Sequence, residues 1–162
     1  TSGAFKHAFK RRRCIIPADG FYEWTRPTAG QTNKTGQTKK TGQTKKQPWF
    51  VQRPDGEPIA FAGLWEVWRP EGSQDELHSC TIITGEPNEK MAEIHDRMPI
   101  MLPPDAWDTW LDRDQDDTEL LGKLLVPAPS SLITFHPVST DVNNVRNGGA
   151  HLIDPVELPE DE

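Results

Sequence analysis

Apolar residues along this chain recur in short bursts with two different spacings, and the switches between them outline the elements. Phe5, Ala8 and Phe9 stand at i, i+3 and i+4, which predicts a short amphipathic helix over residues 4–10 whose other face is basic. The chain then runs through Arg11-Arg12-Arg13 into residues 14–24, where β-branched and aromatic side chains predict strand and Pro17-Ala18-Asp19-Gly20 supplies a bend or bulge. Residues 49–52 and 59–68 read as two further strands separated by the turn signal Pro54-Asp55-Gly56, and residues 77–84 as another. Gly85-Glu86-Pro87-Asn88 ends that strand and offers Asn88 as the N-cap of a short helix carrying Met91 and Ile94, with His95 at its C-terminal end. Residues 103–111 start a second helix with proline and acid in the first turn, and residues 117–125 suggest a third. Residues 132–138 return to strand, and 143–149 are loop. Many short strands, few short helices and no βαβ rhythm predict an α+β fold with a curved, mostly antiparallel sheet.

Two segments break this pattern. Residues 30–46 repeat a six-residue unit, Gly-Gln-Thr-Asn-Lys-Thr and its lysine variants, with no apolar position to bury, so the segment reads as a disordered expansion of a hairpin loop rather than a solenoid. The alternative is a lysine-rich arm that touches phosphates. Residues 157–162 form an acidic, proline-containing tail expected to fray. The overall hydrophobic share of 34% is low for a globular chain, and these two segments account for the deficit. What remains is enough for one domain, residues 1–156, with a core of its own.

Charge is unevenly placed. Residues 1–46 carry eleven Lys/Arg against two acids, a balance of +9, whereas residues 47–162 stand at −16. The net −7 therefore hides a basic N-terminal part on an acidic body, which is compatible with an anionic partner. Cys14 and Cys80 sit beside β-branched residues and are expected to be buried free thiols; neither shows metal-ligand spacing. No apolar run is long enough to span a membrane and no signal-peptide pattern opens the chain, so a soluble, cytoplasmic protein is expected. A chain that begins with Thr1 rather than Met reads as a fragment.

Two blocks carry candidate chemistry. Glu23, between Tyr22 and Trp24, shares a strand face with Phe21 and is either an exposed or ion-paired strand carboxylate or a proton-handling group in a partly apolar setting. His95 is followed by Asp96 and Arg97 in a segment stiffened by Pro99; the imidazole suits either a structural hydrogen bond or proton transfer, and Arg97 either a phosphate or its neighbour Asp96. The other histidines, His7, His78, His136 and His151, have no comparable surroundings and read as structural or surface.

The run from Arg13 to Trp24, the run from Ile94 to Pro99, and between and after them Thr81-Ile82-Ile83-Thr84, Asn88, Pro104-Asp105-Ala106-Trp107, Trp110-Leu111, Val138-Ser139, Val142-Asn143 and Leu152-Ile153, closely resemble in order the SOS response-associated peptidase family of abasic-site processing proteins. The resemblance covers nearly the whole chain apart from the repeat and the tail. It implies a monomer that binds single-stranded DNA containing abasic sites, with no cofactor and no metal. In the family an N-terminal cysteine captures the ring-opened sugar through amine and thiol as a thiazolidine crosslink, with autopeptidase and abasic-site lyase activity. The resemblance gives Glu23 and His95 the catalytic proton transfers, and Arg97, Trp24 and Thr84 the DNA contacts, with nucleoid association in a bacterium. The family's Met-Cys-Gly start and its asparagine-arginine motif are expected upstream of Ser2, and Gly149-Ala150-His151 departs from its pattern. Two other readings remain: a non-catalytic single-stranded-DNA-binding remnant, and a cysteine peptidase using Cys14 with His95 and Glu23.

Overall fold

The computed structural model describes residues 3–25 and 46–158; the repeat at residues 30–45 and tail residues 159–162 lie outside the described residues. The fold is α+β, built from antiparallel pairings and a few short helices. Strand β1 (Arg13–Ala18) pairs with β4 (Ile59–Trp68), which pairs with β5 (Leu77–Ile82). Strand β2 (Gly20–Trp24) pairs with β3 (Pro48–Gln52), which pairs with β8 (Thr134–Pro137). A small ribbon joins β6 (Thr84–Gly85) to β7 (Met98–Pro99).

The bend expected at Pro17–Gly20 proves to be a change of sheet: after Asp19 the chain leaves β4 and takes up β3. Gly20 is required there by close approach, since a Cβ would run into the Phe50 ring and lie 2.5 Å from the Val51 carbonyl oxygen. The strand expected over residues 77–84 likewise breaks at Ile83. Its N–H goes to the Ala62 carbonyl (2.8 Å) while its own carbonyl receives the Ile100 N–H (2.9 Å). That crossover carries Thr84 away from β5 and into the ribbon.

Two apolar clusters fill the interior. One gathers Val51, Ile59, Phe61, Met91, Ile94, Met98 and Ile133, with Phe21, Trp49 and Phe135 packed against it. The other gathers Ala62, Leu64, Ile100, Leu102, Trp110 and Leu121. Alternation along β4 explains the division: Ile59 and Phe61 face the first cluster, Ala62 and Leu64 the second.

The helices are short and obey their caps. Helix α1 (Lys6–Arg11) buries Ala8 and packs Phe9 edge-on against Trp110 at 6.0 Å, but Phe5 stays half exposed. Asn88 caps as expected, its Oδ1 accepting from Met91 N (2.8 Å), although the turn it starts, Met91–Glu93, is 3-10 rather than α. Helix α2 (Trp107–Leu111) follows a proline-led 3-10 turn and buries Trp110; α3 (Thr118–Lys123) is capped by Asp117, which accepts from the backbone of Glu119 and Leu120.

Two expectations are corrected. Cys80 is exposed and Cys14 only partly buried. The apolar neighbours of Cys80 look like core in sequence, but β5 is an edge strand on which every residue is exposed. The arginine run, moreover, is not an open basic patch. Arg11 pairs with Asp116 (3.1 Å), and Arg12 pairs with Glu66 and lies 5.3 Å over the Trp65 ring. Arg13 is 8% exposed, and its side chain donates to the carbonyls of Trp110 (2.6 Å), Phe9 (2.9 Å), Lys10 (2.5 Å), Asp112 and Gln115 (3.0 Å). A guanidinium has five N–H donors, so none is left for a partner. Among the described residues no helix is long and apolar enough to cross a membrane.

Candidate functional site

The face of β2 that carries Phe21 also carries Glu23, because side chains two apart share a face. Phe21 meets Phe61 edge-on at 5.7 Å inside the first cluster, so Glu23 stands at that cluster's rim, opposite Trp49. His95 reaches the same rim from the other side. Met91 and Ile94 anchor the 3-10 turn in the core, and the His95 N–H closes on the Met91 carbonyl at 2.9 Å. Two apolar anchors from distant parts of the chain thus hold two polar groups together. His95 Nε2 lies 3.5 Å from Glu23 Oε1, and the two side chains are 22% and 21% exposed, open enough for a substrate yet shielded enough to interact.

Each partner of this pair is positioned by a neighbour. Glu23 Oε1 accepts the Trp24 backbone N–H at 3.1 Å. His95 Nδ1 lies 3.1 Å from the Arg97 N–H and 3.2 Å from the Arg97 carbonyl, with Asp96 Oδ1 at 3.5 Å. A neutral ring can accept from the Arg97 N–H and turn Nε2–H to Glu23, while a charged ring can donate from Nδ1 to the Arg97 carbonyl. The imidazole therefore has a partner in either protonation state, as proton transfer requires.

Arg97 is seated by the ribbon. Its Nε and Nη2 donate to Thr84 Oγ1 at 3.0 and 2.6 Å, and Nη2 also to the Thr84 carbonyl at 3.1 Å. Nη1 lies outside these bonds, on an exposed side chain beside His95. Thr84 thus acts here by holding the guanidinium.

Glu23, His95, Arg97 and Thr84 are brought together. Trp24 is placed differently: it lies on the opposite face of β2, tilted against Tyr22 at 6.4 Å, and its indole N–H donates to Asn143 Oδ1 at 2.7 Å. That role of Asn143 was missed in the sequence, since 119 residues separate the partners and no local spacing links them. Burial, then Cys80 nearby, pushes the Cys14 thiol pKa up, the reverse of the shift that activates a nucleophilic cysteine. Among the described residues no cluster of three or more His, Cys, Asp or Glu side chains could hold a metal ion.

The geometry defines an antiparallel α+β protein with a solvent-accessible carboxylate–imidazole pair and a seated arginine beside it. The chain belongs to the SOS response associated peptidase (SRAP) family, whose profile matches residues 1–145. It is 38% identical over 151 residues to the abasic site processing protein YoaM of Bacillus subtilis, with 93% of this chain and 60% of that protein covered. It is 36% identical over 159 residues to YedK of Escherichia coli, an abasic site processing protein, with 96% and 63% covered. Chicken HMCES, which bears the same description, is 37% identical over 168 residues, with 92% and 45% covered. The chain thus spans about three fifths of the bacterial relatives. A crystal structure of a Bacteroides thetaiotaomicron protein shares the fold at a TM-score of 0.78 and 21% identity, covering 96% of this chain and 62% of that one.

Proposed function

We propose that this chain carries the proton-transfer and DNA-holding part of an abasic-site processing protein acting on single-stranded DNA. The observation that carries the reading is the Glu23–His95 pair at 3.5 Å with Arg97 seated on Thr84 beside it. A ring-opened abasic sugar presents an aldehyde. An α-amine adds to it, water leaves as the imine forms, and the thiol of the same cysteine adds to the imine carbon to close a thiazolidine. A proton must leave the amine and another must reach the departing hydroxyl; the carboxylate and imidazole supply both transfers. Arg97 balances the flanking phosphate and Trp24 offers a stacking face, the two recurrent devices of single-strand binders. The nucleophile has to be a cysteine with a free α-amine, and Cys14 and Cys80 lie inside strands, their nitrogens bound in peptide bonds. Autopeptidase and lyase activity belong to the same reading: the imine on the α-amine permits β-elimination of the 3′ phosphate, whereas the thiol takes the acyl group of a preceding residue, freeing the amine, before water hydrolyses the thioester, and each needs the proton transfers of the same pair.

Binding and chemistry are tested separately. Anisotropy with a labelled single-stranded oligonucleotide carrying one abasic site should give salt-dependent binding, weakened and less salt-dependent in Arg97→Ala. Denaturing electrophoresis, with the chain preceded by the family's N-terminal cysteine, should show a heat-stable adduct that forms at least tenfold more slowly in Glu23→Gln and His95→Ala. Adduct rates in both variants equal to that of the unsubstituted protein would remove the proton-transfer role. Binding without any adduct in the unsubstituted protein would favour a non-catalytic DNA-binding remnant.

A further inference from the structure

Tryptophan has one polar atom, the indole N–H, and it can only donate. In this chain that donor is taken up by Asn143 Oδ1 at 2.7 Å. Asn143 sits on a braced turn. It ends the 3-10 turn Thr140–Asn143, where Ser139 Oγ accepts from Asp141 N (3.2 Å), and the Asp141 carbonyl accepts from Asn144 N (3.1 Å) and Asn147 Nδ2 (2.9 Å). The root of the turn is tied to the strand opposite Trp24. Val138 N donates to the Pro48 carbonyl (3.1 Å), Gln47 Nε2 donates to the Val138 carbonyl (2.9 Å), and Pro48 is the register partner of Trp24. An acceptor fixed to β3 therefore meets a donor on the end of β2.

We propose that Asn143 is a positioning residue that fixes the Trp24 ring and occupies its only hydrogen-bonding atom, leaving the ring to meet nucleic acid by its face. With the N–H engaged, Trp24 cannot read a base edge, and what remains is stacking, which tolerates any base. A strand-end indole without this bond would sample several ring orientations and would lose affinity when ordered by the ligand. The inference rests on the reading of Trp24 as a single-strand contact, but its first measurement does not.

That measurement is 19F NMR of the chain labelled with 5-fluorotryptophan, the Trp24 signal being the one lost in Trp24→Phe. Asn143→Ala should shift and broaden that signal, whereas Asn143→Asp, which keeps the acceptor, should leave it close to the original. An unmoved Trp24 signal in Asn143→Ala overturns the inference. The second measurement is affinity for a short oligothymidylate containing one abasic site. Asn143→Ala should weaken it about 3- to 10-fold, as expected for loss of one ordering hydrogen bond, and should cost nothing further in a Trp24→Phe background. An equal loss in both backgrounds overturns the inference, because Asn143 would then act independently of Trp24. A signal that moves as expected, combined with unimpaired binding by Trp24→Ala, which leaves no ring to stack, supports the positioning bond and refutes the reading of Trp24 as a DNA contact.

Discussion

Arg13 offers the sharpest test of how the site's framework is held. Its guanidinium caps two helices at once: the Phe9 and Lys10 carbonyls belong to the last turn of α1, and those of Trp110 and Asp112 to the end of α2. Helix C-termini leave carbonyls without intrahelical partners, and burial denies them water. Arg13→Met keeps the approximate length and apolar stem but removes all five donors. Hydrogen bonds to a charged group contribute about 1.5–3 kcal/mol each, but relaxation and water entry at the more exposed carbonyls recover part of that. A net loss of about 3–5 kcal/mol is expected, in the range seen when a buried charged partner is deleted. At about 2–4 °C per kcal/mol for a domain of this size, the midpoint should fall by roughly 6–20 °C. Arg12→Ala, which removes a more exposed ion pair with Glu66 and a contact over the Trp65 ring, should cost about 1–2 kcal/mol and serves as the control. Arg13→Lys, with three donors for five carbonyls, should fall between. Urea unfolding followed by circular dichroism measures all three. A loss below about 1 kcal/mol in Arg13→Met, with an unchanged m-value, would refute the capping argument.

Further outcomes follow from the same geometry. Thr84→Val removes the hydroxyl that accepts from Arg97 while keeping the strand shape, so single-strand affinity should drop about 3- to 10-fold with little change in thermal midpoint; an unchanged affinity would show that Arg97 needs no seat. Burial raises the Cys14 pKa, so its thiolate fraction at pH 8 lies below that of an ordinary thiol and alkylation there should be slow, accelerating as pH rises beyond 9. The exposed Cys80 should react first with iodoacetamide, as peptide mapping would report, and preferential labelling of Cys14 would contradict the burial argument. Asn88→Ala removes both the cap on Met91 and the bond from Nδ2 to the Ala128 carbonyl (2.8 Å), and should destabilise by about 1–2 kcal/mol in the same urea assay. Gly20→Ala should cost more than an ordinary loop substitution because the Phe50 ring and the Val51 carbonyl occupy the space, and normal stability would show that the strand junction can shift.

The sequence by itself determined most of the strands and short helices, their order and two blocks of candidate chemistry. Hydrophobic periodicity and cap chemistry are local, so the strand residues around Phe21, the Asn88 cap and the proline-led start of α2 were legible without a fold. Glu23 and His95 stood out by their surroundings, but their 3.5 Å approach depends on Phe21, Met91 and Ile94 converging on one cluster across some seventy residues. Only tertiary structure decides such meetings, because packing against distant residues is invisible to a local window. The same reason explains where sequence reading went astray. The environment of Cys80 looked apolar until β5 proved to be an edge strand, and the basic N-terminal part looked open to an anionic partner until Arg13 proved to be consumed by carbonyls. It also explains why Asn143, an ordinary loop asparagine in sequence, becomes the partner of Trp24 only once β3 and the Thr140–Asn143 turn lie side by side.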